Sequence, residues 1–127
     1  MRTWIVYKLD MGTLEGRGMK AKRVPTGLLI TKMVQIIVAR FRPEKIILFG
    51  SHARGDAGPD SDVDLLIIMP VVGSRHEKRV EIRRALHAIG IPKDILVSTP
   101  EEYGRRKDVP GTIEWPAERE GRVLYAR

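Results

Sequence analysis

Three acids, a glycine, a serine and an arginine are the residues whose types and spacing could do chemistry in this chain. Asp62 and Asp64 form an Asp-x-Asp step that opens an apolar run ending at Met69. Side chains alternate across an extended strand, so the two carboxylates share a face. Two strand rises put them about 7 Å apart at the backbone. No basic residue lies between them, so they repel each other and gain from a bound cation. Oxygen ligands select hard cations such as Mg²⁺ or Mn²⁺. Mg²⁺ keeps few protein ligands and fills its shell with water and phosphate oxygens, so two carboxylates and a triphosphate suit it.

Gly50-Ser51 supplies the other half, ten residues before Asp62. Gly50 lets the backbone come close to a ligand. Ser51 is placed to cap a short helix, leaving free N–H groups that bind phosphate, and its hydroxyl can donate to a phosphate oxygen. Arg54, one turn on, adds positive charge toward the triphosphate. Asp94, in Lys-Asp-Ile-Leu-Val, precedes an apolar run just as Asp64 does. If the two strands are neighbours, three carboxylates gather at one end of a sheet. Two metals held there could clamp the attacking and leaving oxygens of an in-line displacement. Asp94 would accept the proton of the attacking hydroxyl, directly or by helping to bind the second metal.

Competing readings of these residues are weaker. Asp60, Asp62 and Asp64 alternate like a calcium loop, but Leu65 stands where that loop demands glycine. Arg54-Gly55-Asp56 spells an adhesion tripeptide by coincidence in a cysteine-free chain. His52 lies in the signature loop and could touch ligand, whereas His76 and His87 read as helix-face residues. Trp4, Trp115 and Tyr125 read as packing residues.

The elements that must position these groups follow from periodicity. Pro25-Thr26 opens a helix whose inward stripe is Leu29, Met33, Ile36, Ile37 and Phe41, ended by Pro43. Residues 45–49 read as a strand, 52–61 as a loop or single helical turn, and 62–69 as a strand covered on both faces. Residues 74–89 read as a second helix, capped by Ser74 with Glu77 and closed by Gly90. Residues 94–98 are a strand, and 99–106 a short helix opened by Thr-Pro-Glu-Glu. A helix over 113–122 would be broken by Pro116, and 123–125 could close as a strand. The predicted fold class is α+β, a small mixed sheet flanked by helices. Met1–Tyr7 could be another strand and 10–23 a loop, so residues 1–24 are read as an extension ahead of a domain at 25–127.

The chain has 127 residues, enough for one domain with a real core. It has no cysteine, which excludes disulfides, thiolate metal sites and cysteine nucleophiles. A formal net charge of +7 suggests an anionic partner: nucleotide, nucleic acid, acidic protein or membrane surface. The basic residues are dispersed, which disfavours a dedicated nucleic-acid binder. No apolar run approaches the roughly 20 residues that span a bilayer, so no membrane partner is expected. The first residues lack signal-peptide order, and the expectation is a cytoplasmic protein.

Gly50, Ser51, Asp62 and Asp64, with Arg54-Gly55 and Ser61 as common embellishments, resemble the signature of the DNA polymerase β-like nucleotidyltransferase superfamily. The likeness runs over roughly residues 25–127, including the tail Glu-Arg-Glu-Gly-Arg-Val-Leu-Tyr, and is nearest to the minimal nucleotidyltransferases. It implies Mg²⁺ on Asp62 and Asp64, with Asp94 as third acid and ATP as substrate. It also implies a HEPN-domain toxin as partner, with AMP passing to a toxin tyrosine and this chain acting as antitoxin. A non-catalytic antitoxin that masks the toxin is the alternative. Self-association and the identity of the base stay open at this point.

Overall fold

The computed structural model describes residues 24–127. The strand and loop read over residues 1–23 lie outside the described residues. The elements run α1 (Thr26–Phe41), β1 (Lys45–Phe49), α2 (Ser51–Arg54), β2 (Val63–Ile68), α3 (Arg75–Ala85), β3 (Lys93–Ser98), α4 (Pro100–Arg106), α5 (Glu114–Glu120) and β4 (Arg122–Ala126).

The four strands form one mixed sheet in the order β3-β2-β1-β4. β1 is antiparallel to β2 and β4, while β2 and β3 are parallel. The expected α+β class is borne out. Alternation along each strand sends one set of side chains to each face. Ile46, Leu48, Val63, Leu65, Ile67 and Ile95 meet Met33 and Ile37 of α1 and Ile82 of α3. Ile47, Leu66 and Ile68 turn the other way and meet Tyr103 of α4 and Ala117 of α5. β2 is thus covered on both faces, which is why its sequence reads as an unbroken apolar run.

The second face is fastened by polar contacts that periodicity did not reveal. Ser98 is fully buried and its hydroxyl donates to Glu114 Oε2 at 3.0 Å. Glu114 Oε1 faces Arg106 Nε at 3.3 Å, an ion pair without hydrogen-bond geometry. The Tyr103 hydroxyl donates to Glu118. These contacts join β3, α4 and α5.

Several boundaries differ from the expected ones. β2 begins at Val63, so Asp62 stands just before the strand. β3 begins one residue earlier than expected, at Lys93. α3 is capped by the Ser74 hydroxyl accepting from Glu77 N–H, but it ends at Ala85 rather than Ile89. Leu86, His87 and Ile89 then donate to carbonyls three residues back, a tightened turn that brings both Leu86 and Ile89 into the core. Gly90 therefore lies past the turn and does not cap the helix. Pro116 does not break α5, because it is the third residue of the helix. Its missing N–H falls in the first turn, where no intrahelical acceptor exists. Among the described residues no helix is long and apolar enough to cross a membrane.

Leu65 is fully buried in the central strand. Leu65→Ala should cost about 3 kcal/mol of stability through lost burial and a residual cavity. Urea unfolding followed by circular dichroism should show a lower midpoint with little change in slope.

Candidate active site

The acids sit at one end of the sheet, where β1 ends and β2 and β3 begin. Asp64 is in register with Phe49 on one side and with Asp94 on the other. Parallel neighbours in register present their side chains to the same face. Asp64 and Asp94 therefore stand side by side on the face that carries Leu66 and Leu96. Asp62, two residues before Asp64, is exposed at the sheet's rim.

Gly50 has φ +76° and ψ −156°, a conformation that only glycine adopts without strain. A Cβ at this position would run into Asp64 Oδ2. The absent side chain is thus the space the carboxylate occupies. Gly50, not Ser51, is the N-cap of α2, and Ser51 is the first helical residue. The expected side-chain cap is replaced by a backbone one, because Gly50 carbonyl accepts from Ala53 and Arg54 N–H. Among the described residues, the N–H groups of Ser51 and His52 meet no acceptor. This leaves two donors at the helix start beside the acids.

The rest of the loop is braced. Ala53 is buried in the core, and Arg122 Nε donates to its carbonyl at 2.8 Å. His52 Nε2 donates to Ser61 carbonyl at 3.1 Å, tying α2 to the segment that delivers Asp62. Ser61 Oγ accepts from Gly58 N–H at 2.8 Å. Arg54 is exposed and pairs with Asp56 at 3.3 Å and Glu120 at 3.4 Å. Its guanidinium is therefore shared with two acids that the sequence reading had not assigned to it.

The electrostatics follow from this crowding. Burial, then the charges of Asp94 and Asp62, push the Asp64 carboxyl above its usual value. His52 and Arg54 offset this in part. Arg79 of α3 reaches Asp94 Oδ1 at 3.4 Å, a contact not foreseen from sequence. It was hidden because α3 meets β3 only through the tertiary fold. Among the described residues, no three His, Asp or Glu side chains form a ready-made metal cage. The donor set instead fits a hard cation that takes few protein ligands and completes its shell with phosphate oxygens. The like charges around Asp64 and the glycine that admits its carboxylate are the observations behind that fit.

Residues 30–118 match the family model described as a nucleotidyltransferase domain. The chain belongs to that family, and it is a nucleotidyltransferase. A curated protein of Methanocaldococcus jannaschii, MJ0604, named as a candidate protein adenylyltransferase, is 35% identical over 68% of this chain and 82% of its own length. Among solved structures, a toxin–antitoxin complex with AMP-PNP superposes with TM-score 0.57 at 17% identity, covering 76% of this chain and 73% of that one. A candidate minimal nucleotidyltransferase superposes with TM-score 0.55 at 22% identity, covering 80% of this chain and 98% of that one. These two likenesses concern the fold.

Two outcomes follow. Gly50→Ala should fold but displace Asp64, and nucleotidyl transfer should fall by about 100-fold, measured as steady-state kcat/KM. The raised Asp64 value means that the folded state holds its proton more tightly than the unfolded chain. This group's share of stability is greatest below its unfolded value and is lost as pH rises through the folded one. Asp64→Asn should therefore raise the melting temperature at pH 7 in metal-free buffer and flatten its dependence on pH between acid and neutral conditions.

Proposed function

We propose that this chain transfers AMP from ATP to a hydroxyl of a partner protein, a tyrosine of a HEPN-domain toxin, and acts as its antitoxin. The observation that carries the reading is the placement of Asp64 and Asp94 side by side, with Asp64 seated against Gly50 at the start of α2. The candidate adenylyltransferase relative and the AMP-PNP-bound toxin–antitoxin neighbour support the nucleotide and the partner. At the sheet's rim Asp62 is exposed, and Asp64 and Asp94 are half-buried. An acceptor carried by another protein fits such an open site.

In this reading Asp62 and Asp64 would hold Mg²⁺, with Asp94 as ligand to a second ion or as proton acceptor. The cation supplies charge neutralisation at the phosphates and at the departing pyrophosphate. The Ser51 and His52 N–H groups and the Ser51 hydroxyl donate to phosphate oxygens. Arg54 adds charge at the mouth of the site after exchanging one of its two acids for phosphate. The acceptor oxygen attacks the α-phosphorus, the bond to pyrophosphate breaks, and the hydroxyl proton passes to Asp94. Arg79 orients the Asp94 carboxylate for that role. Catalysis is then chiefly positioning.

The test combines the chain with α-labelled ATP, Mg²⁺ and the protein encoded by the adjacent gene. Label should appear on a tyrosine of that protein and vanish with Asp62→Ala plus Asp64→Ala. Transfer that survives the double substitution sinks the mechanism. A double variant that still neutralises toxicity without transferring label points to masking instead. Mg²⁺ should also raise the melting temperature of the wild type and leave that of the double variant unchanged.

A further inference from the structure

α3 carries its cations in two groups that differ in what they meet. On its first turns Arg75 pairs with Glu102 at 2.9 Å, Lys78 with Glu81 at 2.8 Å and Arg79 with Asp94 at 3.4 Å. On its last turn Arg83 and Arg84 are exposed and pair with no carboxylate among the described residues. They border a shallow depression with His87, Lys93, Val80 and Ile89. No acid lines it.

The helix C-terminus favours two arginines at that position. It does not account for Lys93, which comes from β3. The Lys93 ammonium donates to Ile89 carbonyl at 2.6 Å and Ile91 carbonyl at 3.1 Å, which fixes the charge beside the arginines. Three cations from two elements thus stand together with no carboxylate among them, and an anion placed over them relieves the repulsion.

The location ties the patch to the site. Lys93 precedes Asp94 in the chain and is in register with Val63. Arg79, one turn before Arg83, holds Asp94. The patch therefore flanks the open end of the sheet, on the far side of β3 from the acids.

We propose that this patch docks an acidic polypeptide segment of the protein that supplies the acceptor hydroxyl. The proposal rests on the transferase reading above and adds the chemistry of the partner. A polypeptide fits better than RNA for three reasons. The lining offers the half-buried aliphatic side chain of Val80. It offers no Phe, Tyr or Trp on which a base could stack. Its few cations fall short of the roughly six to ten phosphate contacts of a strong nucleic-acid binder.

The experiment uses the full chain and two fluorescein-labelled probes. One is the peptide Glu-Glu-Leu-Glu-Tyr-Glu-Glu-Leu, the other a single-stranded oligouridylate of matched charge. Fluorescence anisotropy reads binding at low and high salt, without ATP. The wild type should prefer the peptide, and Arg83→Glu plus Arg84→Glu should weaken it about tenfold or more. Arg40→Glu plus Arg105→Glu makes the same change of net charge at the last turns of two other helices and should have little effect. The milder pair Arg83→Gln plus Arg84→Gln should shift affinity in the same direction by less, which covers misfolding of the charge reversal. Equal losses in both reversed pairs, tighter binding of the oligouridylate, or no peptide binding would overturn the proposal. Label transfer to the toxin at unchanged KM by the Arg83→Glu plus Arg84→Glu variant would also overturn it, while leaving the transferase reading intact. Loss of transfer through the aspartates alone leaves the anisotropy result standing, so the two failures are told apart.

Discussion

The repulsion between Asp64 and Asp94 is the constraint on which the arrangement turns. Parallel pairing of β2 and β3 places the two residues in register, so both carboxylates emerge on one face of adjacent strands. Burial, then the charge of Asp94 and that of Asp62 just outside the strand, push the Asp64 carboxyl up. A fold that crowds like charges in this way is under tension until a cation or proton joins them. Gly50 deepens that crowding by giving Asp64 a seat against the backbone, where any other residue would expel it.

The remainder of the molecule keeps that tension local. Below the acids, β2 is buried on both faces by aliphatic side chains from α1 and α3 on one side and by α4 and α5 on the other. The Ser98–Glu114–Arg106 contacts lock the second layer at the opposite end of β3 from Asp94. One end of the sheet is thus dry and tightly joined, and the other is charged and open. This division is the usual trade between stability and function, in which destabilising groups are concentrated where the chemistry is done.

Membership of the nucleotidyltransferase family gives this geometry a chemical context. Phosphoryl-type transfer asks little covalent work of the protein and much positioning. The observed parts are suited to positioning: donors at a helix start, carboxylates on rigid strands, and a loop braced through His52 and Arg122. Arg79 belongs with them, since it links the basic helix to the acid edge of the sheet.

Much of the architecture was legible in the residues alone. The strand at Lys45–Phe49 matches its reading at both ends, and the capping box at Thr99 and Glu102 is present. Such features are local: alternation, caps and turn residues act within a few positions. Gly50, Ser51 and Asp62 with Asp64 were also visible, because their spacing in the chain is itself the signal. Other features depended on which elements come together. That Asp94 lies beside Asp64 required the parallel pairing of β2 and β3, which nothing within either strand encodes. The helix end at Ala85 and the tightened turn after it carry no marker in the periodicity, and Pro116 was tolerated because of where α5 begins. Arg54's pairing with Glu120, the Arg79–Asp94 contact and the buried Ser98–Glu114 contact all join residues 15 or more positions apart. Local chemistry wrote the motif and most of the elements. Only packing in three dimensions chose which charges face one another, because Coulomb forces and burial act through space and not along the chain.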